Sequence, residues 1–389
     1  MFYAKDQFEQ IIHISNKSVI KQLHTITYFC PDCNGVLLVK SGGKKVAHFA
    51  HKKKALCDNF SKGETNVHIK GKQLLYEYLK KSKSKVKIEK YFPEISQRAD
   101  LFIENHKKGI VIEFQCSVVP IHLIYSRTEG YKKVQIPTIW ILSKKLLVSK
   151  TPHLFTLTDF TLYFCSFPNT FFPTIIFFDT FEECFYTLVI IAPFSSKNVM
   201  GVIKKSTNIQ RIKQINHSAY ECEEYSKIWY KKNIQSRIWL HRKLSKWRNL
   251  RDKIYQLNIF PSLYPVEVFL PVSTSIALIS SIDIWQLHIY IFLLKDIKLG
   301  GIITIKKISA YVDNNRRLYQ KREFLNGSIE VIDIIILYMD SLVRLQNFRK
   351  VKNGYQLQKE FTIPKTVEEG ALLCSLACKI LVREFQYNK

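Results

Sequence analysis

The spacing of hydrophobic residues changes repeatedly between Glu64 and Leu142, and this succession restricts the fold more than any other feature of the sequence. Apolar side chains recur every three or four positions from Glu64 to Leu79, which predicts an amphipathic helix. The later segments are extended and apolar, apart from one further helical stretch. In chain order they cover residues 86–92, 96–103, 109–117, the helical stretch around 127–131, and 136–142. The order helix, strand, strand, strand, helix, strand predicts an α/β fold with a mixed sheet.

A carboxylate stands in the most apolar of these strands. Glu113 lies among valine, isoleucine and phenylalanine, and an unpaired buried carboxylate costs several kcal/mol. Asp100 falls in the neighbouring strand, and Glu64 lies on the preceding helix, on the same face as Lys72. Three oxygen donors that converge in this way suit Mg²⁺, which generates hydroxide and neutralises charge in phosphodiester hydrolysis. The pattern therefore predicts a metal-dependent catalytic site.

A structural interpretation of the same carboxylates is also open. Asp100 and Glu113 can pair with Arg98, Lys72 or Arg127 in an ion network that stabilises the fold and binds no metal. Spacing alone does not choose between the two interpretations.

Five potential zinc ligands lie within a short N-terminal segment. Cys30 and Cys33 form a Cys-x-x-Cys pair, and His48, His51 and Cys57 follow. Two short pairs of this kind can close a tetrahedral zinc site. Because His48 and His51 point to opposite faces of an extended segment, we expect Cys30, Cys33, His51 and Cys57 to bind zinc, with His48 as a buried supporting group or an alternative ligand. The alternative is a redox-active cysteine pair with unrelated histidines.

These residues occur together with other short motifs in a fixed order. The order is Cys30-x-x-Cys33, His48-Phe-Ala-His51, Cys57, Gly63-Glu64 with His68 and Lys72, Gln97-Arg98-Ala99-Asp100, and Ile112-Glu113-Phe114-Gln115. This combination, over roughly residues 28–142, resembles the competence protein CoiA family. The resemblance implies a zinc-binding N-terminal region, a restriction-endonuclease-like core of the PD-(D/E)XK nuclease superfamily, and a mainly helical C-terminal part. It also implies a role in processing and recombining DNA during natural transformation.

The resemblance also assigns roles within the nuclease-like core. It implies that Asp100, Glu113 and Glu64 hold a catalytic Mg²⁺ or Mn²⁺. Gln115 stands where the superfamily usually has lysine, and glutamine can orient water but cannot supply positive charge. Either Lys72 replaces that charge or the site cleaves slowly. A third possibility is a fold that binds DNA, as an accessory of a recombinase, and cleaves nothing.

The chain is strongly basic, with 59 Lys and Arg against 32 Asp and Glu and a formal net charge of +27. Such an excess predicts attraction to a polyanion, and the segment 227–253 concentrates it on one amphipathic helix. A basic helix can also lie on a membrane surface. Trp229 and Trp239 can stack on bases, although we expect them to be core residues. The predicted nucleic-acid contacts are Lys243, Lys246, Arg251, Arg127 and Tyr131.

The expected domains are a zinc-binding domain at 1–62, a nuclease-like domain at 63–195 and a basic, mainly helical domain at 196–389. In the last, Asn353-Gly354 predicts a type I′ hairpin. We expect a cytoplasmic protein, because the first residues lack an apolar leader and charged residues interrupt the apolar windows 171–194 and 272–294. Expected partners are DNA, single-stranded or branched, and a recombinase or other competence proteins.

Overall fold

The chain forms two compact units in a computed structural model. The structure describes residues 1–14, 26–31, 33–42, 45–52, 65–81, 85–104, 109–167, 172–207, 219–323 and 329–384. Unit 1 comprises Met1–Leu146, Ile176–Tyr186 and Lys205–Asn208. Unit 2 comprises Leu147–Ile175, Thr187–Lys204 and Ile209–Lys389.

Unit 1 begins with a five-stranded sheet in the order β2-β1-β3-β4-β5. Its strands are β1 (Tyr3–Lys5), β2 (Ile11–His13), β3 (Tyr28–Phe29), β4 (Val36–Gly42) and β5 (Lys45–His51). Strands β4 and β5 are antiparallel, with Leu38 opposite Ala50. The core of this sheet is small and includes Tyr28 and Phe49, whose ring centroids lie 4.9 Å apart. A core of this size is typical of folds that also depend on a bound metal.

Eleven further strands follow up to residue 206. They are β6 (Lys85–Ile88), β7 (Tyr91–Phe92), β8 (Gln97–Arg98), β9 (Leu101–Glu104), β10 (Ile110–Gln115), β11 (Thr138–Ser143), β12 (Val148–Thr151), β13 (Leu154–Thr156), β14 (Thr174–Asp179), β15 (Cys184–Pro193) and β16 (Asn198–Ser206). Within unit 1 the order is β14-β11-β10-β9-β6. Strand β10 pairs antiparallel with β9 and parallel with β11, so that Glu113 lies opposite Trp140. The sheet is mixed, as the sequence predicted.

Two helices flank β10 in the chain, α1 (Asn66–Lys81) and α2 (Ile121–Lys133). Both correspond to helical stretches predicted from the sequence. The two extended runs expected before β10 are more broken than the pattern indicated. A 3₁₀ turn at Pro93–Ile95 separates β7 from β8, because Pro93 fixes its own backbone and Ser96 ends the turn in a left-handed conformation with φ 49°.

Unit 2 contains strands in the order β12-β13-β16-β15 and most of the helices. The helices are α3 (Asp159–Tyr163), α4 (Ala219–Leu244), α5 (Arg248–Gln256), α6 (Ile282–Ile289), α7 (Ile305–Asn314), α8 (Val331–Arg344) and α9 (Val367–Glu384). A small sheet has the order β17-β19-β18, from β17 (Ile302–Thr304), β18 (Phe348–Val351) and β19 (Gly354–Leu357). No helix in the described part of the chain is long and apolar enough to cross a membrane.

The basic segment 227–253 is two helices rather than the single helix expected. Helix α4 ends at Leu244 and α5 begins at Arg248. The backbone turns between them, where Trp247 N–H donates to Leu244 O and Ser245 Oγ donates to Arg242 O. The serine hydroxyl competes for a helical carbonyl and favours a helix end, a local effect that hydrophobic spacing does not reveal.

The hairpin β18–β19 is present, but its turn is not type I′. The turn residues are Lys352 and Asn353, and neither is among the described residues with positive φ, as type I′ requires. Gly354 instead lies in β19. A Cβ atom at this position would lie 2.0 Å from Ile303 O in β17. The glycine therefore permits close approach of a neighbouring strand.

Candidate active site and metal centre

Cys30, Cys33 and His51 form one cluster of potential metal ligands, with all three ligand atoms within 4.8 Å of one another. The two cysteines come from the turn between β3 and β4, and His51 is the last residue of β5. Asn34 holds this turn in a left-handed conformation with φ 56°, and its N–H donates to Cys30 O. Gly35 N–H donates to Cys33 Sγ at 3.4 Å and so helps to fix the position of the sulfur.

The spacing of these atoms fits a tetrahedral ion. Cys33 Sγ lies 3.3 Å from His51 Nε2. Ordinary zinc–sulfur and zinc–nitrogen bond lengths at tetrahedral angles place such atoms about 3.5 Å apart. The cluster contains His51 and not His48, which is buried in the same strand. Cys57, the fourth predicted ligand, lies outside the described residues. These three residues could therefore bind a metal such as zinc.

Glu113, in the middle of β10, is almost fully buried and has two partners from α2. Arg127 Nη2 lies 2.9 and 3.0 Å from its two carboxylate oxygens, and Tyr131 OH donates to Oε1 at 2.6 Å. Arg127 also donates to Arg98 O. Burial raises the pKa of Glu113 to about 7, against the attraction of Arg127. Its negative charge therefore depends on Arg127 remaining in place.

Asp100 lies just before β9, and its Oδ2 accepts hydrogen bonds from His68 Nε2 at 3.1 Å and from Phe114 N–H at 2.9 Å. Its Oδ1 lies 3.8 Å from Lys72 Nζ. Burial by itself would raise the pKa of Asp100. The nearby positive charges of His68, Lys72 and Arg127 instead hold it below its usual range. Asp100 is thus kept ionised inside the protein.

Lys72 is buried in α1 and pairs with Glu89, a partner that sequence reasoning missed. Lys72 Nζ lies 2.5 Å from Glu89 Oε1, and the two side chains are 2% and 3% exposed. Glu89 Oε2 in turn accepts the backbone N–H of Phe2 at 2.6 Å. A lysine on the buried face of a helix requires a counter-charge, and that requirement was the available signal.

Gly71 allows α1 to approach β10 closely. A Cβ atom at residue 71 would lie 2.0 Å from Phe114 Cε1. The ring of His68 is stacked parallel to that of Phe114, with centroids 6.1 Å apart. One small residue therefore brings His68 and Lys72 to Asp100, and the spacing of apolar residues did not single it out.

Of the two remaining predicted catalytic residues, Gln115 and Glu64, the structure describes only Gln115. Gln115 ends β10, and its Nε2 donates to Ser117 O at 2.6 Å. Glu64 lies outside the described residues. Among the described residues, Cys30, Cys33 and His51 are the only cluster of three or more potential metal ligands. No third ligand in the described part of the chain therefore completes such a cluster with Asp100 and Glu113.

The predicted nucleic-acid contacts differ in their surroundings. Tyr131 is fully buried and bonded to Glu113, so its prediction as a DNA contact is corrected: a side chain without exposed surface cannot reach a phosphate. Lys243 pairs with the buried Asp283. Lys246 is exposed, and Arg251 pairs with Asp252 at 2.9 Å.

Comparison with known proteins identifies the family. Three family models match in succession: the CoiA N-terminal domain at residues 12–60, the nuclease-like domain at 64–219 and the C-terminal domain at 223–371. The chain belongs to the competence protein CoiA family. The competence protein CoiA of Bacillus subtilis (strain 168) is 29% identical to it over 296 residues, which is 75% of this chain and 78% of that protein. No solved structure gives a significant match. The core just described thus lies in the nuclease-like domain of a CoiA protein.

Proposed function

We propose that this CoiA-family protein acts on DNA in natural transformation and recombination as a divalent-metal-dependent nuclease. The observation that supports this most is the pair of buried carboxylates in the nuclease-like domain, Asp100 just before β9 and Glu113 in the neighbouring strand β10. Buried carboxylates whose pKa values are shifted by burial and by specific charged partners concentrate at catalytic sites. We propose that Glu64 completes the set of ligands.

Carboxylate oxygens suit Mg²⁺ or Mn²⁺, which supply an activated water and neutralise phosphate charge. Neighbouring side chains and one backbone amide fix the orientation of the two carboxylates. His68 and the Phe114 amide orient Asp100, and Arg127 and Tyr131 orient Glu113. In this state Arg127 occupies both oxygens of Glu113, so a cation bound there competes with it.

We propose that Lys72 compensates for the missing superfamily lysine through Asp100 and not by touching phosphate. Its Nζ is buried and already bound to Glu89, 3.8 Å from Asp100 Oδ1. From there its charge keeps Asp100 ionised. Gln115, partly exposed at the end of β10, is left to orient water.

The test is cleavage of single-stranded, branched and duplex DNA in Mg²⁺, Mn²⁺ or EDTA. We expect divalent-dependent cleavage that Glu113→Gln reduces at least about 100-fold, since the amide keeps the shape but loses the charge of a ligand. The matched control is Glu94→Gln, which removes an exposed carboxylate of the same domain and should cleave like the wild type. Cleavage that persists in Glu113→Gln or in EDTA would contradict the proposal.

A second candidate is a DNA-binding recombinase accessory without cleavage. Two contacts favour it: the Gln115 amide is engaged by Ser117 O, and Arg127 covers Glu113. A wild-type protein that binds DNA but cuts none of the substrates with either metal would establish this candidate instead.

We further propose a structural zinc at Cys30, Cys33, His51 and Cys57, the three-domain division predicted from the sequence, and action in the cytoplasm.

A further inference from the structure

Unit 2 contains a cavity of about 240 Å³ with aromatic walls. Three buried phenylalanines line it, Phe155, Phe194 and Phe269, together with Trp239, which is 45% exposed. The guanidinium of Arg242 lies 4.2 Å from the centre of the Trp239 ring and supports one of its faces. The sequence had suggested that Trp239 belongs to the core, and its exposure corrects that expectation.

The backbone of Phe269 is held in an uncommon conformation at this cavity. Its φ is 80°, which is sterically costly for a bulky side chain. Gln286 Oε1 accepts the N–H groups of Phe269 and Leu270, each at 2.7 Å, and Trp229 Nε1 donates to Phe269 O at 3.0 Å. Strain that buried partners maintain in this way is typical of binding sites, where it fixes a surface in advance. The ring of Phe269 is therefore pre-positioned.

The charged groups at this cavity are cationic. Lys150 donates to Asn198 Oδ1 and Lys232 to Gln235 Oε1, both at 3.1 Å and both to neutral amides. Neither lysine is paired with a carboxylate in the part of the chain that the structure describes. Lys243 also lines the cavity and is the one lysine there with a carboxylate partner, Asp283. Two cations at an aromatic cavity are thus available to an anion.

A second cavity of about 470 Å³ adjoins the first and shares Leu154, Lys232 and Gln235 with it. It adds Lys231, and the acidic residue in its lining, Glu224, is already paired with Lys227 at 2.9 Å. Cationic surface therefore continues beyond a single cavity, as a chain of linked phosphates requires.

We propose that this cleft binds an unpaired nucleotide of single-stranded DNA, with the base against Trp239 and the phosphates on Lys150 and Lys232. The inference rests on the proposed action on DNA, but on different residues from the carboxylate site formed by Asp100 and Glu113. Stacking on aromatic side chains beside a basic groove is how proteins hold single strands, and a base within a duplex cannot enter such a cavity. The site would hold a strand, whereas the carboxylates would cut one.

The test is binding of a fluorescently labelled oligothymidylate in buffer without Mg²⁺ or Mn²⁺, where cleavage that depends on these metals does not occur and the proposed zinc stays bound. We expect Trp239→Ala to weaken binding about 5- to 150-fold and Trp239→Phe to restore part of the affinity, since one stacked base contributes that much. Lys150→Ala and Lys232→Ala should each lower the slope of log affinity against log salt by about 0.7. Trp239 is exposed, and an unchanged thermal transition would confirm that its variants fold.

The controls separate this site from general basic attraction. Lys306→Ala removes an exposed lysine on α7, and Trp247→Phe alters a half-buried tryptophan outside the cleft. Both should bind like the wild type. Equal losses in these controls, or wild-type affinity in the Trp239 and lysine variants, would overturn the assignment. So would tighter binding of duplex DNA, of an RNA of the same sequence or of free thymidine monophosphate.

The outcome is independent of the nuclease proposal. Loss of binding in the cleft variants, in a protein that cuts no DNA with either metal, would support the cleft and reject the nuclease. Metal-dependent cleavage by a protein whose cleft variants bind normally would support the nuclease and reject the cleft. Absence of any single-strand binding would reject the cleft, whatever the cleavage assay shows.

Discussion

Replacing Lys72 by methionine tests how the buried charges at the carboxylate site depend on one another. Methionine keeps the length of the side chain but leaves Glu89, 2.5 Å from the lost ammonium, as a buried carboxylate without its cation. Asp100 loses a second positive neighbour at 3.8 Å. Removing one partner of a buried ion pair costs about 3–5 kcal/mol, because the other charge stays desolvated. The change should therefore weaken unit 1 severely.

The assay is hydrogen exchange followed by mass spectrometry, read in peptides from α1. A loss of about 3–5 kcal/mol corresponds to exchange faster by roughly two to three and a half orders of magnitude. Adding Glu89→Gln to Lys72→Met should slow exchange again by more than tenfold, because the unpaired carboxylate is gone. Lys70→Met is the control, since Lys70 is exposed on the same helix. Unchanged exchange in Lys72→Met, or no recovery in the double variant, would refute the reasoning.

Three further outcomes follow from other parts of the molecule. Purified protein should contain about one zinc per chain by elemental analysis, lost in Cys30→Ser or Cys33→Ser and retained in His48→Ala; retention in the cysteine variants would contradict the site. Burial lowers the pKa of His288 to about 4, so that as the pH falls the unfolded chain takes up this proton before the folded protein does. The free energy of unfolding, measured in urea, should therefore be at its full value above about pH 6.5 and fall by up to about 3 kcal/mol towards pH 4. His288→Gln should show a weaker dependence on pH. Gly71→Ala should lower the melting temperature of unit 1 by several degrees, because its Cβ would meet Phe114, and an unchanged melting curve would argue against that contact.

Local spacing predicted the elements that carry the site. The apolar extended run that marked β10 and the helical spacing of α1 depend on neighbouring residues, and both elements are present. The energetic argument about Glu113 also predicted that something must compensate it, and Arg127 was one of the named partners. The helical spacing of Arg127 and Tyr131 placed them on one face, but it did not show that this face meets Glu113.

Contacts between distant residues could not be predicted in the same way. Glu89 reaches Lys72 because a short strand and a positive φ of 53° turn it inward, and neither is visible in hydrophobic spacing. The strain at Phe269 depends on Gln286 and Trp229, which are far from it in the chain. Trp229 and Trp239 occupy similar sequence surroundings, yet one is fully buried and the other is half exposed. Tertiary packing decides such differences.

The hydrogen bond from the Phe2 backbone to Glu89 has a practical consequence for dissecting this protein. The sequence predicts a domain boundary near residue 62, and this prediction suggests expressing the two parts separately. A fragment beginning there would lack the amide that holds Glu89, and also the Phe2 ring 5.6 Å from Lys72 Nζ. Glu89 would lose a hydrogen-bond donor and Lys72 would become exposed to water. The positive charge that Lys72 places near Asp100 would then be weaker. Such a fragment could be inactive only because the surroundings of Lys72 and Asp100 are disturbed. Its inactivity would then be misread as evidence that the N-terminal region takes part in the chemistry, although that region only supports the site.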